Sequence, residues 1–220
     1  MGESMDFLLW VRGPAFDIAA TIFVIGIVLR FFEIFSLGRK ANLAELRGTE
    51  FGPGVRTVVT RTFPEMGSFA RQPLTIIIGY VFHIGMLISL VLFVPHIELF
   101  RETFGFGWPG LPTPFVDAAA VLAILGLLAA LWHRVMNPVM RLITTPEDWV
   151  VWLATFLPIA TGYLAFHRMV DPYPLILGLH ILSVEFLMVV FPFTKLMHTF
   201  TLFIARWYNG AMSGQRGVES

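Results

Sequence analysis

The sequence predicts an all-α integral membrane protein with five transmembrane helices. Hydrophobic residues make up 56% of its 220 residues and charged residues only 14%, whereas about 25% of the residues of a soluble domain are charged. The mean hydropathy is +0.75, and five apolar runs are long enough to cross the roughly 30 Å core of a bilayer as helices. Most side chains must therefore face lipid or one another within a membrane, in a single membrane domain over residues 1–220.

The five predicted spans are separated by polar connections or by connections rich in Gly and Pro. The first span contains Arg30 and Glu33 near its end, the second holds His83 as its one strongly polar residue, and the fourth contains Pro158. Helices two to five are expected to form a four-helix bundle, since neighbouring antiparallel helices commonly pack in this way. The spans cover approximately residues 16–35, 74–94, 115–132, 149–166 and 175–203.

The distribution of basic residues predicts the orientation of these spans. The connection 36–72, the connection 133–148 and the C-terminal tail together carry ten Lys or Arg, and the opposite side carries three, namely Arg12, Arg101 and Arg168. Basic residues are concentrated on the cytoplasmic side of membrane proteins. We therefore expect a multi-pass protein of the cell inner (cytoplasmic) membrane, with its N-terminus outside and its C-terminus in the cytoplasm.

The residue types exclude several kinds of function. Cysteine is absent, which excludes disulfides, cysteine-bound iron–sulfur clusters and thiol catalysis in this chain. Any iron–sulfur cluster must therefore belong to a partner protein. In addition, no phosphate-binding loop, nucleophile triad or zinc signature occurs, and no basic patch indicates a nucleic-acid partner.

Two histidines on the fifth predicted helix indicate cofactors at two depths of the membrane. His180 and His198 are eighteen residues apart, which on one continuous helix amounts to five turns and about 27 Å of rise. Both imidazoles would then lie on one face, one near each membrane surface. Imidazole inside a membrane helix is uncommon and indicates a function.

The second helix supplies the partners for these two histidines. Because it runs in the opposite direction, the pairs of matching depth are His96 with His180 at the outer level and His83 with His198 at the inner level. Each pair can clamp a haem iron between two helices. An iron with imidazole at both axial positions transfers electrons and has no open position for a small substrate.

The spacing of the first two histidines requires a break in the second helix. His83 and His96 are thirteen residues apart, which gives about 220° of rotation on an ideal helix, so they should not share a face. Pro95 permits a kink that re-aims His96. His167, at the end of the fourth helix, is the alternative outer ligand, and His133 is interpreted as an interfacial residue.

Three groups of residues resemble the cytochrome b subunit, or gamma subunit, of respiratory nitrate reductases. They are the segment Phe82-His83-Ile84-Gly85, the pair His180 and His198, and the block Phe191-Pro192-Phe193-Thr194-Lys195-Leu196-Met197-His198. The similarity spans most of the chain and includes the five-helix plan. The first histidine pair is more widely spaced than in that subunit, which favours a related branch of the superfamily that serves iron–sulfur oxidoreductases of sulfur metabolism.

The resemblance implies a membrane anchor with two b haems, which oxidises quinol near one membrane face and passes electrons to an iron–sulfur subunit on the cytoplasmic face. Carried over by position, His83 and His198 would bind the inner haem, and His96 and His180 the outer one. Such a chain is an electron-transfer subunit that does not act alone on the terminal substrate. The basic residue that contacts quinol before the third helix in that subunit has no counterpart here.

Other polar residues are candidates for contacts with quinone and haem. A quinol must release protons near one haem, and Asp117 at the start of the third helix is the predicted proton acceptor. Arg134 and Arg141 lie at the inner level, where haem propionates would emerge. Glu185 is interpreted either as a proton relay or partner of an imidazole, or as a protonated residue between helices.

These observations predict a di-haem b-type cytochrome that links the quinone pool to a cytoplasmic iron–sulfur protein, as a subunit of a respiratory oxidoreductase. Two alternatives stay open. One is a cytochrome that carries electrons across the membrane to a soluble acceptor, and the other is a haem-free helical transporter or scaffold whose histidines relay protons. The terminal enzyme, the quinone and the direction of electron flow are not determined by the sequence.

Overall fold

The computed structural model describes residues 2–38 and 44–218. Within these ranges every regular element is a helix, and five helices are long and apolar enough to cross a membrane. The all-helical class and the number of candidate membrane spans are therefore confirmed, and the chain has the character of a multi-pass membrane protein. The candidate spans are Gly2–Ser36, Pro73–Val91, Thr113–Met136, Pro146–Phe166 and Tyr173–Phe193.

The helices belong to two compact units. The first unit consists of Met1–Phe23 and Leu74–Val190, and the second of Val24–Pro73 and Phe191–Ser220. The single membrane domain expected from the sequence stays a prediction, because the division into two units does not test it. In chain order the helices are α1 Gly2–Trp10, α2 Phe16–Ser36, α3 Phe51–Thr60, α4 Met66–Arg71, α5 Pro73–Val91, α6 Val94–Phe104, α7 Thr113–Met136, α8 Pro138–Ile143, α9 Pro146–Phe166, α10 Tyr173–Val190 and α11 His198–Gln215.

The first candidate span begins earlier than the sequence predicts. α1 starts at Gly2, and a π-helical turn over Val11–Ala15 joins it to α2. Gly13 has non-helical angles, with φ −112° and ψ −106°, and Pro14 follows it within the turn. Because proline lacks an N–H group and its ring crowds the preceding turn, a kink at this point is expected.

α5 and α7 approach closely in the first unit because small residues lie between them. A Cβ atom built on Gly85 would lie 2.5 Å from the carbonyl oxygen of Ala119, and one on Gly126 would lie 3.3 Å from the backbone nitrogen of Phe82. Contacts between small residues are typical of helices that associate in lipid, where burial of apolar surface gives little advantage.

A break after α5 places His96 on a separate helix. α5 ends at Val91 and α6 begins at Val94, with Pro95 in its first turn. Proline is well tolerated there, because the first N–H groups of a helix have no partner within it. The break that the sequence predicts at Pro95 is therefore confirmed.

Capping motifs fix the turns between α7 and α9. The side-chain oxygen of Asn137 accepts hydrogen bonds from the backbone N–H groups of Val139 and Met140, at 2.9 and 3.2 Å. Thr145 and Asp148 form a capping box at the start of α9. These bonds satisfy N–H groups that the helix itself leaves without partners.

The prediction of one continuous fifth helix over 175–203 is wrong. α10 ends at Val190, and 3-10 turns at Phe191–Phe193 and Lys195–Met197 separate it from α11. Pro192 lies in the first of these turns, where it cannot donate to the carbonyl of the preceding turn and disfavours helical angles in the residue before it. The predicted common face of His180 and His198 assumed a continuous helix and therefore does not follow.

In the second unit, α11 packs against α3 through glycines. A Cβ atom on Gly210 would lie 2.5 Å from the carbonyl oxygen of Pro53, and one on Gly214 would lie 2.5 Å from Cγ of the same proline. Gly54 faces Trp207 in the same way, at 2.6 Å from Nε1. The C-terminal tail is thus a packed helix and not a free extension. Of the predicted basic connection before the second span, Arg39 and Lys40 lie outside the described residues.

Candidate functional site

The imidazole rings of His96 on α6 and His180 on α10 lie close together and nearly parallel in the first unit. Their ring centres are 6.3 Å apart, and their planes differ by 18°. The break between α5 and α6 allows His96 to point toward α10, which an uninterrupted second helix would not. The structure therefore brings together the two histidines of the predicted outer pair.

Both imidazoles are held at Nδ1 by a backbone carbonyl. Nδ1 of His96 lies 3.0 Å from the carbonyl oxygen of Ser89 and 3.2 Å from that of Leu90. Nδ1 of His180 lies 3.1 Å from the carbonyl oxygen of Pro158. A carbonyl only accepts, so Nδ1 donates in each ring and Nε2 of the neutral imidazole keeps its lone pair. Histidines that bind metals are usually fixed through their other nitrogen in this way.

The environment of His96 favours the form of imidazole that binds a metal. Burial lowers the pKa of His96 below its usual value, and the hydrogen bonds to the carbonyls of Ser89 and Leu90 oppose this shift. A histidine must be unprotonated to bind a metal. Burial therefore favours a neutral His96 with Nε2 as the ligand atom.

The surface of α9 is shaped to receive the His180 ring. A Cβ atom on Gly162 would lie 2.9 Å from Cε1 and 3.1 Å from Nδ1 of His180, so a larger residue would displace the ring. Oγ1 of Thr161 lies 3.4 Å from the same Nδ1 and 3.2 Å from Oγ of Ser183 on α10. These contacts, with the Pro158 carbonyl, fix the ring against α9.

The spacing of the His96 and His180 rings fits a metal ion held between them. An imidazole nitrogen lies about 2.0–2.1 Å from a bound transition metal and about 1.1 Å from its own ring centre, so two rings on opposite sides of one ion have centres roughly 6.2–6.4 Å apart. The measured 6.3 Å agrees. No group of three or more His, Cys, Asp or Glu side chains suited to a metal ion occurs within 2–38 and 44–218. Two histidines are as many protein ligands as a haem with both axial positions filled takes.

The predicted inner ligands show the same bond at Nδ1. Nδ1 of His83 lies 2.7 Å from the carbonyl oxygen of Gly79, and Nδ1 of His198 lies 2.7 Å from that of Lys195. His83 belongs to the first unit and His198 to the second. In each of these neutral rings Nδ1 therefore carries the hydrogen, as it does in His96 and His180. The pairing of His83 with His198 stays a prediction.

The other two histidines are engaged through Nε2 instead. Nε2 of His167 lies 3.3 Å from Oδ1 of Asp117. The amide nitrogen of Asn137 lies 3.5 Å from Nε2 of His133. His167, the alternative outer ligand, therefore pairs with Asp117, the predicted proton acceptor, and it is His96 that lies beside His180.

Arg134, one of the two predicted propionate partners, already has partners within the protein. Its Nη1 atom donates to Oγ1 of Thr144 at 3.0 Å and lies 3.5 Å from Oδ2 of Asp148. The guanidinium therefore stabilises the turn between α7 and α9. Arg141, the second predicted partner, is exposed on α8, and its contact with a propionate stays a prediction.

Glu185 on α10 is buried without a hydrogen-bond partner. Its relative exposure is 4%, and Oε1 contacts no donor among the described residues. The interpretation of Glu185 as the partner of an imidazole is therefore wrong for His180, whose Nδ1 bonds to Pro158. An ionised carboxylate without a partner is costly in an apolar span, so the environment favours a protonated Glu185.

Three residues that hold the ring of His180, namely Thr161, Gly162 and Ser183, were not predicted from the sequence. Patterns within a single helix could not identify Thr161 and Gly162, because these residues of α9 meet His180 across two helices.

The chain is similar to a curated protein of Nitratidesulfovibrio vulgaris (strain Hildenborough) whose recorded name is simply "Protein". The two are 34% identical over 152 residues, which cover 69% of this chain and 64% of the relative. The chain thus spans less than two thirds of that relative's length. No family model matches the chain, and no solved structure matches it. The relative's name assigns no activity, so a function can be inferred only from the residues of the site and their geometry.

Proposed function

We propose that this chain is a di-haem b-type cytochrome that passes electrons between the quinone pool and a cytoplasmic iron–sulfur protein of a respiratory oxidoreductase. The observation that supports this most directly is the pair His96 and His180, with ring centres 6.3 Å apart and each Nδ1 bonded to a backbone carbonyl. Two facing imidazoles of the same tautomer are what axial ligation of a haem requires.

In this proposal His96 on α6 and His180 on α10 hold the outer haem, and His83 and His198 hold the inner one, as the sequence predicts. A bound haem supplies reversible one-electron transfer. The chain keeps each imidazole in the tautomer that presents Nε2, and the apolar helices exclude water from the ligands. No open axial position is left for oxygen or a substrate.

The proposed partner is an iron–sulfur protein on the cytoplasmic side. This chain contains no cysteine, so the iron–sulfur clusters that would accept its electrons must be supplied by another protein. Arg61 and Arg71 are exposed near the predicted cytoplasmic surface. Basic side chains there would steer and orient an acidic partner.

Absorption spectroscopy of the purified full-length chain tests the proposal. We expect reduced b-type bands from two haems per chain in the wild type. Because His96 and His180 bind the same iron, His96→Ala and His180→Ala should each remove one haem, and the double variant should still retain one. His83→Ala and His198→Ala should remove the other haem.

His133→Ala is the matched control, since this histidine bonds to Asn137 through Nε2. It should retain both haems. The proposal is wrong if the wild type binds no haem, which would favour the haem-free transporter or scaffold. Ligation by His96 and His180 is wrong if both single variants keep two haems.

A further inference from the structure

His167 and Asp117 form a hydrogen-bonded pair at one end of the first unit. His167 follows the last residue of α9, and Asp117 lies in the second turn of α7. Nε2 of the imidazole lies 3.3 Å from Oδ1 of the carboxylate, and the two side chains are 29% and 30% exposed. Because the carboxylate accepts the Nε2 hydrogen, the neutral imidazole keeps its lone pair at Nδ1. This Nδ1 atom bonds to no residue that the structure describes.

A row of aromatic rings connects this pair to the proposed outer haem ligands. The ring of His167 lies 5.3 Å from that of Phe166, Phe166 lies 4.9 Å from Phe93, and Phe93 lies 5.2 Å from His96. The pair is therefore separated from His96 by only two phenyl rings. A molecule that contacts His167 is close to an electron acceptor bound at His96 and His180.

The surroundings of the pair suit an amphipathic ring compound that arrives through lipid. The ring of Phe166, which is 41% exposed, lies 5.3 Å from that of His167, and the ring of Tyr163 lies 4.4 Å from it. These rings offer an apolar surface beside the imidazole. Sites for apolar ligands typically combine such a surface with a few placed polar groups.

We propose that His167 is the catalytic base that takes the proton of a quinol hydroxyl at Nδ1, and that Asp117 is a positioning residue that holds its tautomer. The same division of roles between an imidazole and a carboxylate operates in hydrolytic triads, where the carboxylate orients the ring and stabilises its protonated form. This inference rests on the proposed function, because the outer haem is the electron acceptor. In this proposal His167 contacts the quinol, whereas the sequence predicts Asp117 as the proton acceptor.

A haem held by His96 and His180 would supply the one-electron oxidant, and it would pass the first electron on toward the inner haem before the second arrives. In each of two successive steps one O–H bond of the quinol breaks, its proton goes to Nδ1 of His167, and one electron leaves the quinol for that oxidant. The imidazolium, stabilised by the Asp117 carboxylate, then releases its proton to water at this end of the helices. After two steps the quinol has lost two protons and two electrons and leaves as quinone.

Rapid-mixing measurements of haem reduction by duroquinol, with the full-length haem-loaded protein in detergent, test the inference. His167→Gln keeps a polar side chain but removes the base, and we expect haem reduction to slow by about 100-fold. Asp117→Asn should slow it by about 10-fold, since the base remains but loses its orientation, and Asp117→Glu should recover part of the rate.

Binding of 2-heptyl-4-hydroxyquinoline N-oxide, a quinol analogue, followed by its fluorescence gives a second readout that needs no turnover. It should weaken several-fold in His167→Gln, while the dithionite-reduced spectrum stays that of two haems. His133→Gln, at the other end of α7, is the control and should change neither rate nor binding.

The other possible outcomes contradict either the roles of His167 and Asp117 or the proposed haem binding. A wild-type rate and wild-type binding in both His167→Gln and Asp117→Asn would refute the dyad while leaving the haem proposal intact. Loss of one haem in His167→Gln would make His167 a ligand instead of a base. A slow rate only in His133→Gln would move the quinol site to the other end of the helices, and a wild type without haem would overturn the proposed function together with this inference.

Discussion

The guanidinium of Arg30 on α2 donates from Nε to the carbonyl oxygen of Pro192, 2.9 Å away, in the second unit. Pro192 is buried in the 3-10 turn that follows α10, where the helical hydrogen-bond pattern has ended. Carbonyls at a helix end need partners from elsewhere, and a charged donor inside an apolar span is otherwise costly. The guanidinium and the carbonyl therefore satisfy each other's hydrogen-bonding capacity. Gly26 has no side chain, which leaves the space that Pro192 occupies.

Replacement of Arg30 should destabilise this turn. Arg30→Ala removes a charge-assisted hydrogen bond, and we expect it to lower the free energy of unfolding by about 1.5–3 kcal/mol. Thermal unfolding in detergent measures the effect. Glu33→Gln is the control, because it removes only the exposed ion pair with Arg30, whose contribution is about 0–1 kcal/mol. Equal effects of the two changes would show that the bond to Pro192 contributes little.

Gly162 should be required for the position of His180. A methyl group there would lie 2.9 Å from Cε1 of the ring, so Gly162→Ala should displace the imidazole and break its bond to Pro158. In the haem-loaded protein we expect the outer haem to be lost or its electron paramagnetic resonance signal to shift. Gly67→Ala on α4, whose added methyl would make only ordinary contacts at 3.6 Å or more, should leave the signals of both haems unchanged. A wild-type spectrum in Gly162→Ala would contradict the described close contact between Gly162 and the ring of His180.

The packing of α3 against α11 predicts opposite signs for two glycine substitutions. Ala in place of Gly in a helix ordinarily stabilises it by up to about 1 kcal/mol. At Gly210 the new methyl would meet the backbone of Pro53, and overpacking costs about 1–3 kcal/mol, so Gly210→Ala should be destabilising. Gly67→Ala on α4 would make only ordinary contacts, at 3.6 Å or more, and should be neutral or stabilising. Thermal unfolding distinguishes these outcomes, and stabilisation by both would contradict the close approach.

Glu185 should tolerate neutral replacements. Its Oε1 atom is buried without a donor, so Glu185→Leu should raise the free energy of unfolding by about 1–3 kcal/mol, the usual cost of an unsatisfied polar group. Glu185→Gln should leave stability and the haem spectrum close to wild type. If Glu185→Gln slowed quinol-driven haem reduction in a normally folded protein, Glu185 would instead be a proton relay.

Association with the proposed iron–sulfur partner is best tested by charge reversal. Truncation after Tyr208 would remove Gly210 and Gly214, which pack against α3, so a loss of binding would not distinguish docking from folding. Arg61→Glu combined with Arg71→Glu changes only exposed side chains. We expect weaker association, most clearly at low ionic strength, with both haems retained. Arg12→Glu, on the predicted opposite side, is the control, and unchanged association in the double variant would exclude this surface.

The sequence by itself determined the fold class and the number of candidate spans, and it predicted the break before His96. These follow from properties that are local or nearly so. Apolar runs of sufficient length become helices because lipid offers no partners for backbone polar groups. The break that frees His96 follows from Pro95, whose effect on a helix does not depend on its neighbours in space.

Only the tertiary structure decided where each polar side chain bonds. The pairing of His167 with Asp117 and the contact of His180 with Gly162 depend on residues that lie far apart in the chain, on different helices. Hydropathy and helical periodicity describe one segment at a time, so they place His96, His167 and His180 at similar depths without showing which two rings lie together. The hydrogen bond at Nδ1 or at Nε2, which only the tertiary structure gives, determines which nitrogen of each neutral ring keeps its lone pair.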